Sequence, residues 1–156
     1  MIVLNYNENC CSYPDRTSRY SPDTQYPEYL YGDISETGNP VYEMVRNAFI
    51  LAGLDKERLG KPEWNPLGDY IKKGNAVLVK PNWVENKNKR PGVDKNLTCL
   101  VTHPAVVRAV LDYVFLALNG TGTVYLADAP MQGCDLRDMF AKAVITSFLS
   151  STKTKE

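Results

Sequence analysis

The sequence lacks the patterns that identify several common classes of protein. No apolar run approaches the ~20 residues of a membrane-spanning helix. Neither glycine-rich phosphate loop occurs, GxGxxG or GxxxxGK(S/T), which argues against ordinary dinucleotide and P-loop nucleotide binding. Lysine plus arginine equals aspartate plus glutamate at 18 each, so no overall charge favours nucleic acid or a membrane surface.

Histidine and paired cysteines are also scarce. The chain has one histidine, His103, and four cysteines. Cys10 and Cys11 are adjacent, whereas Cys99 and Cys134 stand alone, so no pair has the spacing of zinc or iron–sulfur ligands. We therefore expect no iron–sulfur motif in this chain. The start "MIVL" is too short for the apolar core of a signal peptide, which makes the cytoplasm the expected compartment.

What is present indicates one soluble domain. The 156 residues are 44% apolar and 23% charged, as in ordinary globular proteins. We divide the chain into an irregular Tyr/Pro-rich segment at 1–38, a partial α/β domain at 39–148 and a disordered tail at 149–156. Within the first segment, "MIVLNY" at 1–6 is predicted to form a short strand.

The first part of the α/β domain predicts two helices. Helix 40–52 has Asn39 as its N-cap and Gly53 at its C-terminal end. A second, short helix is predicted at 66–72, preceded by Trp64 as a packing anchor.

The second half of the chain has the pattern of a βαβ unit. "AVLVK" at 76–80 has no alternation, which predicts a strand buried on both faces. A helix at 104–118 with Thr102 as N-cap, a strand at 123–128 and a helix at 136–148 follow. This order predicts an α/β fold with a Rossmann-like parallel sheet. Because two or three strands make a poor sheet, we expect it to be incomplete, or completed by a partner chain.

Polar residues cluster where the predicted strands end. In open parallel sheets, ligands bind beyond the carboxyl ends of the strands. This topology brings together residues that lie far apart in the sequence: Lys80, Asn82, Thr102, His103, Asp128 and Gln132.

The chemistry of this set suits an anionic small molecule. Lys80, Asn82, Thr102 and Gln132 are the predicted ligand-binding residues, assisted by free N–H groups of the helix that follows Thr102. His103 and Asp128 are the candidate catalytic residues. Asp128 is also the candidate ligand of a divalent metal, the cofactor that this residue set suggests.

Each of these residues also has a structural interpretation. Lys80 is equally well explained as a surface charge and Asn82 as a turn residue. His103 at a helix start is more often a surface residue than a catalytic one. Asp128 before Ala-Pro can simply stabilise the turn.

Three stretches together resemble the domain of unknown function 362 family: "VLVKPNWVE" at 77–85, "THPAVVRAVLDYV" at 102–114 and "GTVYLADAPMQGCDL" at 122–136. The resemblance implies a bacterial or archaeal, usually cytoplasmic protein, in a family whose reaction is not settled and whose members are typically longer. Many members carry ferredoxin-like cysteine clusters, which this sequence does not.

Three hypotheses of function follow. The first is a ligand-binding or enzyme domain acting on an anionic small molecule. The second is an iron–sulfur-associated redox or assembly accessory, which rests on the resemblance alone. The third is a non-functional truncated fragment.

Overall fold

The structure, a computed structural model, describes residues 2–9, 12–14, 19–92 and 97–143. Within those ranges it contains three α-helices, one 3₁₀ helix and two strands. In chain order these are α1 (Pro40–Leu51), the 3₁₀ helix (Lys56–Arg58), β1 (Ala76–Val79), α2 (Pro104–Leu118), β2 (Thr123–Leu126) and α3 (Leu136–Ala143). No helix in the described part of the chain is both long and apolar enough to cross a membrane.

The two strands form the predicted parallel pair. β1 and β2 run in register from Ala76 opposite Thr123 to Val79 opposite Leu126, and α2 connects them. This arrangement confirms the βαβ unit and the α/β class. The Rossmann-like topology and the incompleteness of the sheet stay predictions.

The prediction that both faces of β1 are buried is wrong. One face packs on α2, where Val107 and Leu111 contact Val79 and Val124. The other face is open to solvent, since Leu78 on that face is 64% exposed. The cause is the layer order: α1 packs against α2 rather than on the far side of the sheet.

The ends of α1 match the sequence pattern closely. The Asn39 side chain accepts a hydrogen bond from the Tyr42 N–H, and Pro40 takes the first helical position. Ala52 is the C-cap of α1. Gly53 follows it with a φ of 72°, a left-handed backbone geometry that glycine adopts without steric strain.

Two predicted elements are absent from the structure. Residues 2–6 form no strand, and residues 66–70 form turns instead of a helix, with residues 71 and 72 in no regular element. A seven-residue helix has few hydrogen bonds to offset its nucleation cost, and Gly68 weakens it further. Trp64 is fully buried in the main apolar cluster, as expected of an anchor. Residues 144–148 of the last predicted helix, and the tail, lie outside the described residues.

A buried polar network ties the irregular segment to the helices. The Arg108 guanidinium on α2 donates to the Asp112 carboxylate at 2.9 Å and to the Tyr29 hydroxyl at 2.9 Å. The Tyr42 hydroxyl on α1 donates to the same carboxylate at 3.1 Å. Arg108 and Asp112 are both almost fully buried, so their charges depend on these contacts.

A second buried pair lies beside the first. The Arg46 side chain donates to Glu28 at 2.7 Å, and the Tyr113 hydroxyl donates to the same carboxylate at 3.0 Å. The Arg46 guanidinium also lies over the Tyr26 ring, 4.4 Å from its centre. Together the two networks anchor residues 26–33 on α1 and α2, without any regular element in that segment.

Candidate functional site

Two loops meet at the carboxyl ends of β1 and β2. In the loop 80–103, the Val84 N–H donates to the Leu100 carbonyl at 2.9 Å, so its two halves run side by side. The loop 127–135 joins them, because the Met131 N–H donates to the Val84 carbonyl at 2.9 Å. The backbone of both loops is therefore held in one hydrogen-bonded crossing next to the strand ends.

Lys80 and Asp128 form an ion pair at this crossing. The Lys80 Nζ lies 2.6 Å from the Asp128 Oδ1, with the lysine side chain 59% exposed and the aspartate side chain 4% exposed. The Asp128 carboxylate also accepts the Trp83 N–H at 2.6 Å and the Ala129 N–H at 2.8 Å. The Lys80 ammonium, helped by these two amides, holds the pKa of the Asp128 carboxyl below its usual range.

Asn82 and Thr102 contact each other across the loop. The Asn82 N–H donates to the Thr102 hydroxyl at 2.9 Å, and the Thr102 N–H donates to the Asn82 carbonyl at 2.9 Å. The Thr102 hydroxyl is thus engaged with the loop and does not cap α2, so the predicted cap was wrong. The Asn82 residue itself is exposed.

His103 is the residue that caps α2. Its Nδ1 accepts the Ala105 N–H at 3.2 Å, and its carbonyl accepts the Val106 N–H at 3.0 Å. Pro104 has no N–H to offer. The expectation that this first turn presents free N–H groups to a ligand is therefore wrong. The His103 ring stacks on Tyr13 with centroids 3.9 Å apart.

The structure thus separates the two candidate catalytic residues into different sets of contacts. Asp128 accepts from Lys80, Trp83 and Ala129, whereas His103 caps α2 and stacks on an aromatic ring. Their catalytic roles stay predictions.

Gln132 lies in an exposed turn of the second loop. Its neighbour Asp135 has a structural role, since its carboxylate accepts the N–H groups of Arg137 and Asp138 at the start of α3. No group of three or more histidine, cysteine, aspartate or glutamate side chains in the described residues is placed to hold a metal ion. The metal role of Asp128 therefore stays a prediction too.

Trp83 and Asn86 hold the crossing together and were not singled out as site residues. Trp83 is buried, with its ring 5.0 Å from that of Phe140 on α3. The buried Asn86 side chain accepts the Asp135 N–H at 3.2 Å and donates to the Asp138 carboxylate at 2.6 Å. For Trp83 the available signal was its position directly after Lys-Pro-Asn. Nothing in the sequence marks Asn86.

Comparison with known proteins gives one match. A family model described as a domain of unknown function (DUF362) matches residues 77–155, which is half of the chain. The matched range begins within β1 and includes Lys80, Asn82, Asp128 and Gln132. No curated protein and no solved structure was found to match the sequence.

Proposed function

The chain belongs to the DUF362 family, and from that premise we propose that the crossing of its two loops binds a small anionic molecule through Lys80. The observation that carries this proposal is the Lys80–Asp128 ion pair at the carboxyl end of β1. The exposed part of this pair is the Lys80 ammonium, which is an ion-pair donor at the edge where parallel sheets of this kind receive their ligands.

The surroundings of the pair favour a preorganised site. The ammonium is more than half exposed, yet its partner carboxylate is almost fully buried and fixed by two backbone N–H groups. A lysine held in one position loses less side-chain entropy when a ligand binds than a free one does. We therefore assign Asp128 as the residue that positions Lys80, in addition to its predicted catalytic role.

The remaining proposed ligand contacts border Lys80 in the sequence or across the crossing. The exposed Asn82 amide offers one donor group and one acceptor. Gln132 offers the same pair of groups from the second loop. Thr102 contributes by fixing the backbone at Asn82. Any chemical step on the bound molecule would then involve Asp128 and His103.

The test is a titration of the full chain with inorganic phosphate and, separately, with acetate, followed by amide NMR shifts. We expect saturable shifts at the Trp83 and Ala129 amides. Lys80→Gln should weaken this binding roughly tenfold or more, because a hydrogen bond to a charged group contributes about 1.5–3 kcal/mol. Lys73→Gln is the matched control, since this exposed lysine precedes β1 and lies at the opposite end of the strand.

Asp128→Asn separates positioning from simple charge attraction. Removal of a negative charge alone would tighten anion binding, whereas loss of the residue that positions Lys80 would weaken it. Tighter binding by Asp128→Asn would refute the positioning role. Equal effects of the Lys80 and Lys73 variants would refute the site itself.

A further inference from the structure

A groove runs between α1 and the segment 2–9, which we call the arm. The described residues of the arm belong to no helix or strand. A hydrogen bond spans the groove, from the Asn5 Nδ2 to the Met44 carbonyl on α1 at 2.8 Å. The arm therefore lies along the helix as one wall, and the space between them has two parts on either side of this contact.

One part of the groove is apolar. It has a volume of about 570 Å³ and is lined mainly by Val3 on the arm and by Val41, Val45 and Ala48 on α1. Ligand pockets in proteins commonly measure about 300–1,000 Å³. Tyr13 completes the lining and places a phenol at the edge of this apolar surface.

The other part of the groove is polar. It has a volume of about 470 Å³ and shares Asn5 and Met44 with the apolar part, so the two are continuous. Its lining includes Glu43 on α1 and the amide side chains of Asn7 and Asn47. The side-chain oxygen atoms of these groups carry full or partial negative charge, which suits a cation.

The charge of the lining has one sign. Glu8 and Glu43 line the polar part, and no lysine or arginine among the described residues lines either part. Glu8 already takes part in an interaction within the protein, so Glu43 is the carboxylate that we assign to the ligand. Glu43 is exposed and takes part in no ion pair among the residues that the structure describes. A carboxylate at one end of an apolar groove is complementary to a cation that carries an apolar group.

We propose that this groove binds a small amphiphile with a cationic head, placing the head at Glu43 and the tail over Val41, Val45 and Ala48. This site is separate from the loop crossing, and its chemistry is opposite in sign. Failure of anion binding at Lys80 therefore does not affect it.

The test is an NMR titration of the full chain with decyltrimethylammonium below its micellar concentration. Decyl sulfate, with the same tail, and tetramethylammonium, with the head alone, are the two comparison probes. We expect saturable shifts of the Asn5, Val45 and Ala48 amides with the first probe. Binding should be roughly fivefold weaker with decyl sulfate, because one partly exposed ion pair contributes up to about 1 kcal/mol.

Substitutions test the position of the head and that of the tail separately. Glu43→Gln should abolish the preference for the cationic probe, while Glu36→Gln, at an exposed position that does not line the groove, should keep it. Ala48→Glu should weaken binding of the tail in both decyl probes. Equal binding of decyl sulfate and the cation by the unaltered chain would overturn the proposal, and so would an unchanged preference in Glu43→Gln.

Discussion

Replacing Asp112 with asparagine should make the stability of this protein less dependent on pH between 4 and 7. The carboxyl is 5% exposed, and burial raises its pKa from 3.8 to about 6, against the opposing effect of Arg108. Asp33 raises this pKa as well, and the Tyr42 hydroxyl lowers it. The native state therefore binds a proton at pH values at which the unfolded chain has already released it.

The direction of the pH dependence follows from this difference between the native and unfolded pKa values of Asp112. The stabilisation is fully present below pH 3.8 and is lost as the pH rises through about 6. The whole shift corresponds to about 3 kcal/mol, of which about 2 kcal/mol falls between pH 4 and pH 7. Asp55 and Asp128 have lowered pKa values, so their contributions to stability have the opposite sign, but these change mainly below about pH 4 and are shared by the unaltered chain and the variant.

The assay is a series of urea melts from pH 4 to pH 7, comparing the unaltered chain with Asp112→Asn. The difference between their free energies of unfolding should change by about 2 kcal/mol over this range. Asp69→Asn, at an exposed position, is the matched control and should leave the pH dependence unchanged. A constant difference across the range would refute the reasoning, since it would mean that the ion pair keeps the carboxyl charged throughout.

The variant itself should be less stable at pH 7, because it removes the nearer of the two carboxylates that pair with the buried Arg108 and leaves only Asp33 at 3.3 Å, a loss of up to about 3–5 kcal/mol. Tyr42→Phe offers a milder second variant. It removes the hydroxyl that donates to the Asp112 carboxylate, so it should raise the pKa further and steepen the pH dependence.

Two further predictions concern a glycine turn and the N-cap of α1. Gly122→Ala should destabilise the fold more than Gly120→Ala. Both have positive φ, which costs alanine about 1–3 kcal/mol, but only at Gly122 would the added carbon overlap the Asn75 carbonyl; equal losses in urea melts would contradict this. Asn39→Ala should cost about 2–4 kcal/mol in the same assay, since it removes the cap of α1 and two buried hydrogen bonds. Asn39→Ser should recover part of the loss by restoring the cap, and no recovery would count against the capping contribution.

The order of strands and helices along the chain was enough to predict part of the candidate site. A strand that ends in Lys80 and a second that precedes Asp128 must bring these residues to one edge if the strands are parallel neighbours, and the ion pair between them follows that logic. The role of His103 as the N-cap of α2 did not follow from this order. Whether a helix is capped by the residue at 102 or at 103 depends on where the preceding loop turns, and Thr102 is drawn away by Asn82.

The buried network was missed for a related reason. Arg108 and Asp112 are four residues apart on α2, beside Val107 and Leu111 on its buried surface, and charged residues at that spacing usually mark an exposed surface pair. Their burial depends on Tyr29 and Asp33, which come from a segment with no periodic pattern. Sequence spacing shows that the two charges can meet, but it does not show what covers them.

By itself, the sequence determined the local structure that depends on neighbouring residues: the limits of α1 and α2, their prolines at the first turn, and the order of strand, helix and strand. Propensity, hydrophobic period and, for α1, the cap act over a few residues and can be read directly from the sequence. Only the tertiary structure decided which faces are covered. The open side of the sheet at Leu78, the arm along α1 and the buried charges of α2 depend on contacts between distant segments, and those contacts are set by packing of the whole chain.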